Sequence, residues 1–178
     1  MNVVLPLPPI RENMQEYQCY IAIGGNLGDP PATFARAREM LAAHPRLRLL
    51  AASPLYRSPA VGTPTPQPDY TNGVLAVATP LHPLELLDIL IDIERALGRV
   101  GKGDCAARTL DLDLLDHGGL LLKTPTLELP HPRMHHRAFV LRPLSDIAPM
   151  WTHPLLAMTA AALLCRCADK DALVALAL

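Results

Sequence analysis

The chain has 178 residues, half of them hydrophobic and 19% charged, with a formal net charge of −1. That balance suits one globular domain with a sizeable core and argues against a nucleic-acid binder driven by bulk charge. No apolar run is long enough to span a bilayer, so no membrane role is expected. Met1 to Tyr17 carries prolines at 6, 8 and 9 and no basic start, a poor signal peptide. Residues 1–17 read as a loosely held extension and 18–178 as a single domain. The cysteines at 19, 105, 165 and 167 have neither zinc-like nor disulfide-like spacing and fit packing roles in a reducing cytoplasm.

In chain order, Gln18 to Ile23 predicts a first strand buried on both sides. Gly24-Gly25-Asn26-Leu27-Gly28 follows as a turn whose glycines allow close backbone approach. Asp29-Pro30 then reads as N-cap and first residue of a helix running to about His44, with Phe34, Ala37, Met40 and Leu41 as its apolar stripe. Strand, Gly turn and helix suit a phosphate site, yet the turn is neither G-x-G-x-x-G nor a Walker A motif. Leu47 to Tyr56 predicts a second strand, and the proline-rich 57–69 a long rigid loop of the kind that carries function. Tyr70 to Ala78 predicts a third strand, with Tyr70, Asn72, Val74 and Ala76 on one face. Pro83 to Leu97 is an amphipathic helix (Leu86, Leu87, Leu90, Ile93, Glu94, Leu97) ended by Gly98. After a polar loop, Arg99 to Ala107, comes the stretch Arg108-Thr109-Leu110-Asp111-Leu112-Asp113-Leu114-Leu115, read as a strand. Gly118-Gly119 predicts a hairpin turn into Leu120 to Leu122. Short helices are expected over His135 to Leu141 and Pro154 to Cys167. The order is β-α-β-β-α-β with additions, an α+β, ferredoxin-like βαββαβ core elaborated with a hairpin and extra C-terminal helices.

Period two puts Thr109, Asp111 and Asp113 on one strand face and Leu110, Leu112 and Leu114 on the other. Two ionised carboxylates roughly 7 Å apart repel unless a cation lies between them or water screens them. A divalent ion with hard oxygen ligands is one answer; a solvated face near a sheet edge is the other. Arg99, Lys102 and Arg108 before the strand and Arg133, Arg137 and Arg142 after it add the charges that phosphoryl transfer needs, although each taken alone reads first as a solvated surface residue. Tyr70, Asn72 and Phe139 combine stacking area with an amide donor and acceptor, which suits a flat heterocycle; a core tyrosine and a turn-capping asparagine fit as well. His131, His135 and His136 lack zinc spacing and read as phosphate-contacting or exposed. A ferredoxin-like RNA-binding module is the rival from another class. It needs exposed aromatics on central strands and a basic face, and the neutral charge counts against it.

Several segments together resemble the 6-hydroxymethyl-7,8-dihydropterin pyrophosphokinase family of folate biosynthesis. They are Tyr20 to Gly28, Ser53 to Pro59, Gln67 to Asn72, Ile93-Glu94, Gly98-Arg99, Arg108 to Asp113 and Leu129 to Leu144, in family order over about residues 19 to 150. The resemblance implies transfer of pyrophosphate from ATP to the pterin hydroxymethyl group, giving the pterin diphosphate and AMP. It implies two Mg2+ ions on Asp111 and Asp113, with Arg108 in the catalytic charge set; Lys102 joins that set as a source of the charge that the loop before the strand otherwise lacks. Ser58, Pro59 and Val61 match backbone positions that read the pterin edge, Asn72 its side-chain partner, and Tyr70 and Phe139 the sandwiching rings. Arg108, His131 and Arg137 match ATP-phosphate contacts, Leu114 an adenine-side position, and Gln67 and Glu94 the rim. The resemblance further implies a cytoplasmic, monomeric enzyme working on small molecules. One stretch departs: Asp104-Cys105-Ala106-Ala107 lacks the family's usual tryptophan, proline and arginine and is one residue shorter. The second expectation is therefore a relative that binds pterin or ATP without efficient turnover. Either aspartate is expected to be replaceable with little loss of stability, because removing one of two repelling carboxylates relieves strain.

Overall fold

The computed structural model describes residues 15–60, 66–99 and 106–177; Val61, Lys102 and Asp104-Cys105 of the departing stretch fall outside them. Strand β1 (Tyr17–Gly25) is the spine. It pairs antiparallel on one side with β4 (Tyr70–Thr79) and on the other with β5 (Asp111–His117). β2 (Arg48–Ala52) and β3 (Tyr56–Ser58) both pair with β4. With helices α1 (Pro30–Ala43) and α2 (Pro83–Ala96), the strand order β5-β1-β4-β2 is that of the expected ferredoxin-like core, extended by β3 and β8 (Val174–Ala175).

Alternation on these strands makes two cores. Cys19, Ile21 and Ile23 of β1, Leu75 and Val77 of β4, and Leu112 and Leu114 of β5 turn to one face, where Phe34, Ala37 and Leu41 of α1 and Leu86, Leu90 and Ile93 of α2 cover them. Tyr20, Val74, Ala76 and Leu115 turn to the other, under Val140, Leu141 and Leu144 of α3 (Ala138–Ile147) and Leu163 of α4 (Ala160–Leu164). α3 covers only part of that second face. Beyond its first turn the sheet continues uncovered, and the residues there are Gly24, Asn72, Asp111 and Asp113.

Local signals fixed several boundaries. The Asp29 carboxylate accepts from the Ala32 N–H at 3.1 Å, the expected N-cap, and Gly98 has φ 89, the left-handed close of α2. Others differ. The stretch 47–56 is two strands, because Pro54 has no N–H for the ladder and Ser53 instead bonds Val74 through both its backbone N–H and its Oγ. Met40 is exposed rather than in the α1 stripe. Gly118-Gly119 is a turn but not a hairpin: the Gly118 N–H returns to the Gln18 carbonyl, and the chain leaves the sheet. The hairpin forms one step later, β6 (Leu122–Lys123) with β7 (Glu128–Leu129), closed by the Thr124 hydroxyl and backbone on Leu127. A 3-10 turn, Met134–His136, precedes α3, which starts at Ala138 because Arg137 is extended, and runs past Pro143 to Ile147. The last helix shrinks to Ala160–Leu164, since Ala157 takes a positive φ and the Thr159 side chain caps the helix at the Ala162 N–H. No helix among the described residues is long and apolar enough to cross a membrane.

Candidate active site

Gly24 is the register point of the site. On β1 it stands opposite Asn72 of β4 and opposite Asp111 of β5, and Ala22 stands opposite Asp113. An amide and a carboxylate thus rise from strands about 5 Å to either side of β1 with only Gly24 between them, and the second carboxylate stands across Ala22. A Cβ at Gly24 would sit 3.2 Å from the Asn72 Oδ1.

Asn26, to which the sequence reading gave no role, ties the rim together. Its Oδ1 accepts from the Arg108 N–H at 2.9 Å, while its own N–H donates to the Arg108 carbonyl at 2.9 Å. Its Nδ2 donates to Gln67 Oε1 and the Pro68 carbonyl at 3.2 and 3.1 Å. One buried asparagine therefore joins the glycine turn, the segment before β4 and the entry to β5. The available signal was a polar residue amid the turn glycines, a fit for close-packed backbones. Gln67 serves in this clamp, and the Tyr70 hydroxyl also donates to it, at 3.3 Å.

A cavity of about 520 Å³ opens over Gly24, Asn72 and the two aspartates. One end is lined by Ser58, Pro59, Tyr70, Asn72 and Phe139, with the Asn72 Nδ2 donating to the buried Ser58 Oγ at 3.0 Å. The other end carries Asp111, Asp113, Arg99, Arg108 and Arg137. The Arg137 guanidinium lies 5.5 Å over the Phe139 ring, linking the two ends by a cation–π contact. The fold brings the two aspartates, the arginines at 99, 108 and 137 and the Tyr70, Asn72 and Phe139 group into one cavity.

The two aspartates differ. Asp111 Oδ1 accepts from Arg99 Nη1 at 2.7 Å and lies 2.9 Å from Arg108 Nη1. Arg99 is in turn held by Glu94, a 4% exposed carboxylate that also accepts the Leu112 N–H at 2.6 Å. Glu94 lines neither cavity; it anchors Arg99 and the backbone of β5 from behind, and burial pushes its carboxyl up. Asp113 is pushed up by burial and then by the Asp111 charge, against the pull of Arg137, Arg108 and Arg99. The expectation of two mutually strained carboxylates is therefore corrected. Asp111 is already compensated, and Asp113 is the one whose charge lacks sufficient company.

Asp113 also lines a second cavity of about 330 Å³ on its far side, with Leu87, Leu114, Thr124, Thr126, Leu127, Glu128 and His131. The His131 Nδ1 accepts the Arg133 N–H at 3.2 Å. Burial, with Arg137 and Arg133, lowers the imidazole to about 4. It is thus neutral at pH 7, with its proton on Nε2. Leu114 is in the core and forms a wall of this second cavity. The hairpin residues that complete it were missed, because only the β6–β7 pairing brings 124–128 to the end of β5.

Among the described residues no three His, Cys, Asp or Glu side chains form a metal cluster. Two carboxylate groups are nevertheless the protein share that magnesium takes when phosphates and water complete its octahedron, and the under-compensated Asp113 fits a cation.

The family model described as 7,8-dihydro-6-hydroxymethylpterin-pyrophosphokinase (HPPK) matches residues 20–149. The chain belongs to the HPPK family. It is 48% identical over 130 residues to the 2-amino-4-hydroxy-6-hydroxymethyldihydropteridine pyrophosphokinase of Pseudomonas aeruginosa, covering 73% of this chain and 80% of that one. The Synechocystis enzyme of the same name is 39% identical, over 84% and 75% of the two chains. Among solved structures, Plasmodium falciparum HPPK-DHPS with pteroate superposes with a TM-score of 0.66 at 14% identity, over 87% of this chain and 44% of that one. At that identity the likeness supports the HPPK fold alone, and this chain spans less than half of the Plasmodium protein.

Proposed function

We propose that this chain transfers pyrophosphate from ATP to 6-hydroxymethyl-7,8-dihydropterin, forming the pterin diphosphate and AMP for folate synthesis. In that step an oxygen–phosphorus bond forms between the hydroxymethyl oxygen and the β-phosphorus, and the bond between the β-phosphorus and the oxygen bridging it to the α-phosphorus breaks. The observation that carries the site reading is Asp113, which borders both cavities. The pterin occupies the cavity with Tyr70, Asn72 and Phe139, the nucleotide the cavity with Leu114 and His131, and the reacting phosphates the ground between.

Tyr70 and Phe139 sandwich the ring, while Asn72 and Ser58, already hydrogen-bonded to one another, read its edge with Pro59; Val61, outside the described residues, keeps the pterin-edge role that the family pattern gives it. Arg108 and Arg137 neutralise the transferring phosphates, and Lys102, outside the described residues, adds to that charge in this reading. His131, its Nδ1 held by the Arg133 N–H, presents Nε2 as a donor to a phosphate oxygen. Glu94 and Gln67 act at one remove, Glu94 through Arg99 and Gln67 through Asn26. Asp111 and Asp113 would hold the cation, two Mg2+ in the family's pattern, which when bound offsets phosphate charge and acts as Lewis acid toward the hydroxyl oxygen. Everything else is positioning, the larger part of phosphoryl-transfer catalysis. The same reading makes the protein a cytoplasmic monomer acting on free small molecules, apart from nucleic acid and membrane.

Asn72→Ala tests it. The pterin KM is expected to rise about tenfold or more, since the lost amide leaves ring donors and acceptors unpaired, with the ATP KM unchanged. Equal effects on both substrates, or none on the pterin, would contradict the division of the two cavities.

A further inference from the structure

The cavity has a wall from a part of the chain that the motifs do not reach. Asp169, Ala172 and Leu173 line it, and they lie beyond residues 20–149, where the family model matches. The segment is fastened at the heterocycle end. β8 pairs with β3, Arg57 opposite Val174 and Tyr56 opposite Ala175, and the Leu176 N–H donates to the Leu55 carbonyl at 2.9 Å. One further step in that register sets Leu173 against Ser58, the residue to which the Asn72 amide donates. Alternation turns Val174 outward, 59% exposed, and Leu173 inward, half-buried with Phe139 against the second core. The 3-10 turn Lys170–Ala172, closed by the Ala172 N–H on the Asp169 carbonyl at 3.1 Å, brings Asp169 to the same cavity.

A two-residue edge strand with an exposed outer face adds little burial of its own. Its register, however, fixes where one leucine and one strand stand. Without β8, β3 would be a three-residue edge strand paired on its β4 side alone.

We propose that residues 169–176 form a C-terminal strap that walls the pterin end of the cavity, with Leu173 a specificity-determining residue that packs against the heterocycle. This rests on the function proposed above. The aromatic sandwich covers the two ring faces; an apolar side chain beside Ser58 closes an edge and excludes water from the Ser58–Asn72 hydrogen bond.

Leu173→Ser in the full chain is expected to raise the pterin KM about tenfold, the worth of a partly buried leucine contact, leaving the ATP KM within about twofold. An unchanged pterin KM, or a parallel rise in both, would overturn the strap. Val174→Thr, on the outward face, is expected to leave both constants alone; a pterin effect equal to that of Leu173→Ser would also overturn it. A chain ending at Cys167 is expected to exceed Leu173→Ser in the same direction, and if that chain does not fold, Leu173→Ser decides. Pterin binding, followed by fluorescence quenching, is measured in parallel. A wild type that binds pterin but forms no AMP overturns the proposed function, and the strap is then judged on the binding constant of Leu173→Ser.

Discussion

Asp113→Ala is expected to remove pyrophosphate transfer while leaving the metal-free protein at least as stable as the wild type. Asp111→Ala is expected to remove transfer and to destabilise the fold. The loss of activity in both is on the order of a thousandfold or more, the rate equivalent of the several kcal/mol that a bound cation contributes to such a transition state. The stability contrast comes from the partners. Asp111 is the shared acceptor of Arg99 and Arg108, and each arginine side chain is only 18% exposed. Its removal takes a shared acceptor from two partly buried guanidinium groups, Arg99 keeping Glu94 and Arg108 the Ala106 carbonyl, a cost of about 1–3 kcal/mol. Asp113 has the opposite sign. Its carboxyl is raised above the ordinary 3.8 by burial first and by Asp111 second, so the folded state holds that proton more tightly than the unfolded state does. The contribution of Asp113 to stability is therefore fully present below 3.8 and lost as pH rises through the raised value. Asp113→Asn should lack that slope. Thermal melts in a chelator across pH 4 to 8, beside a transfer assay, check both. A melting temperature that falls as far for Asp113→Ala as for Asp111→Ala would show the pair to be equivalent.

Gly25→Ala is expected to be the most damaging alanine substitution among the described glycines. A Cβ there would stand 2.5 Å from the Thr109 carbonyl oxygen and 3.1 Å from its carbon, with the Arg108 oxygen at 3.4 Å. All three are backbone atoms of the entry to β5, so no side chain can swing away. Either β1 or the residues before β5 must move, and the Asn26 bonds to Arg108 lie across that gap. Overpacking of this kind costs about 3 kcal/mol, on the order of 10 °C in melting temperature for a chain of this length. A displacement of about 1 Å at Arg108 would add a rate loss of about a hundredfold in the protein that remains folded. Gly28→Ala, at φ 70 with open space around it, is the comparison, costing only the roughly 1 kcal/mol of left-handed backbone. Equal melting temperatures for Gly25→Ala and wild type would refute the contact.

What could be read from the chain was local. Asp29 before two prolines gives its helix start, Leu110, Leu112 and Leu114 give the buried face of the aspartate strand, and Tyr70 and Asn72 share a face because a strand has period two. What could not be read depended on partners distant in sequence. A bulge between Tyr20 and Ile21 shifts the β1–β5 register, so Leu115 and Asp116 both serve the second face, against strict alternation. The Arg99–Asp111 pair needs the end of α2 to meet β5, and the Leu173–Ser58 juxtaposition needs the C-terminus to return to β3. The last helix misled because Ala- and Leu-rich composition reports propensity, whereas Ala157 in a left-handed turn and the Thr159 cap set where the helix begins.

The most direct test of the whole account is the identity of the nucleotide product. Wild-type protein with ATP, Mg2+ and 6-hydroxymethyl-7,8-dihydropterin should release AMP in step with the pterin diphosphate, and Asp113→Ala should release neither. ADP in place of AMP, or no pterin diphosphate at saturating Mg2+, would contradict it.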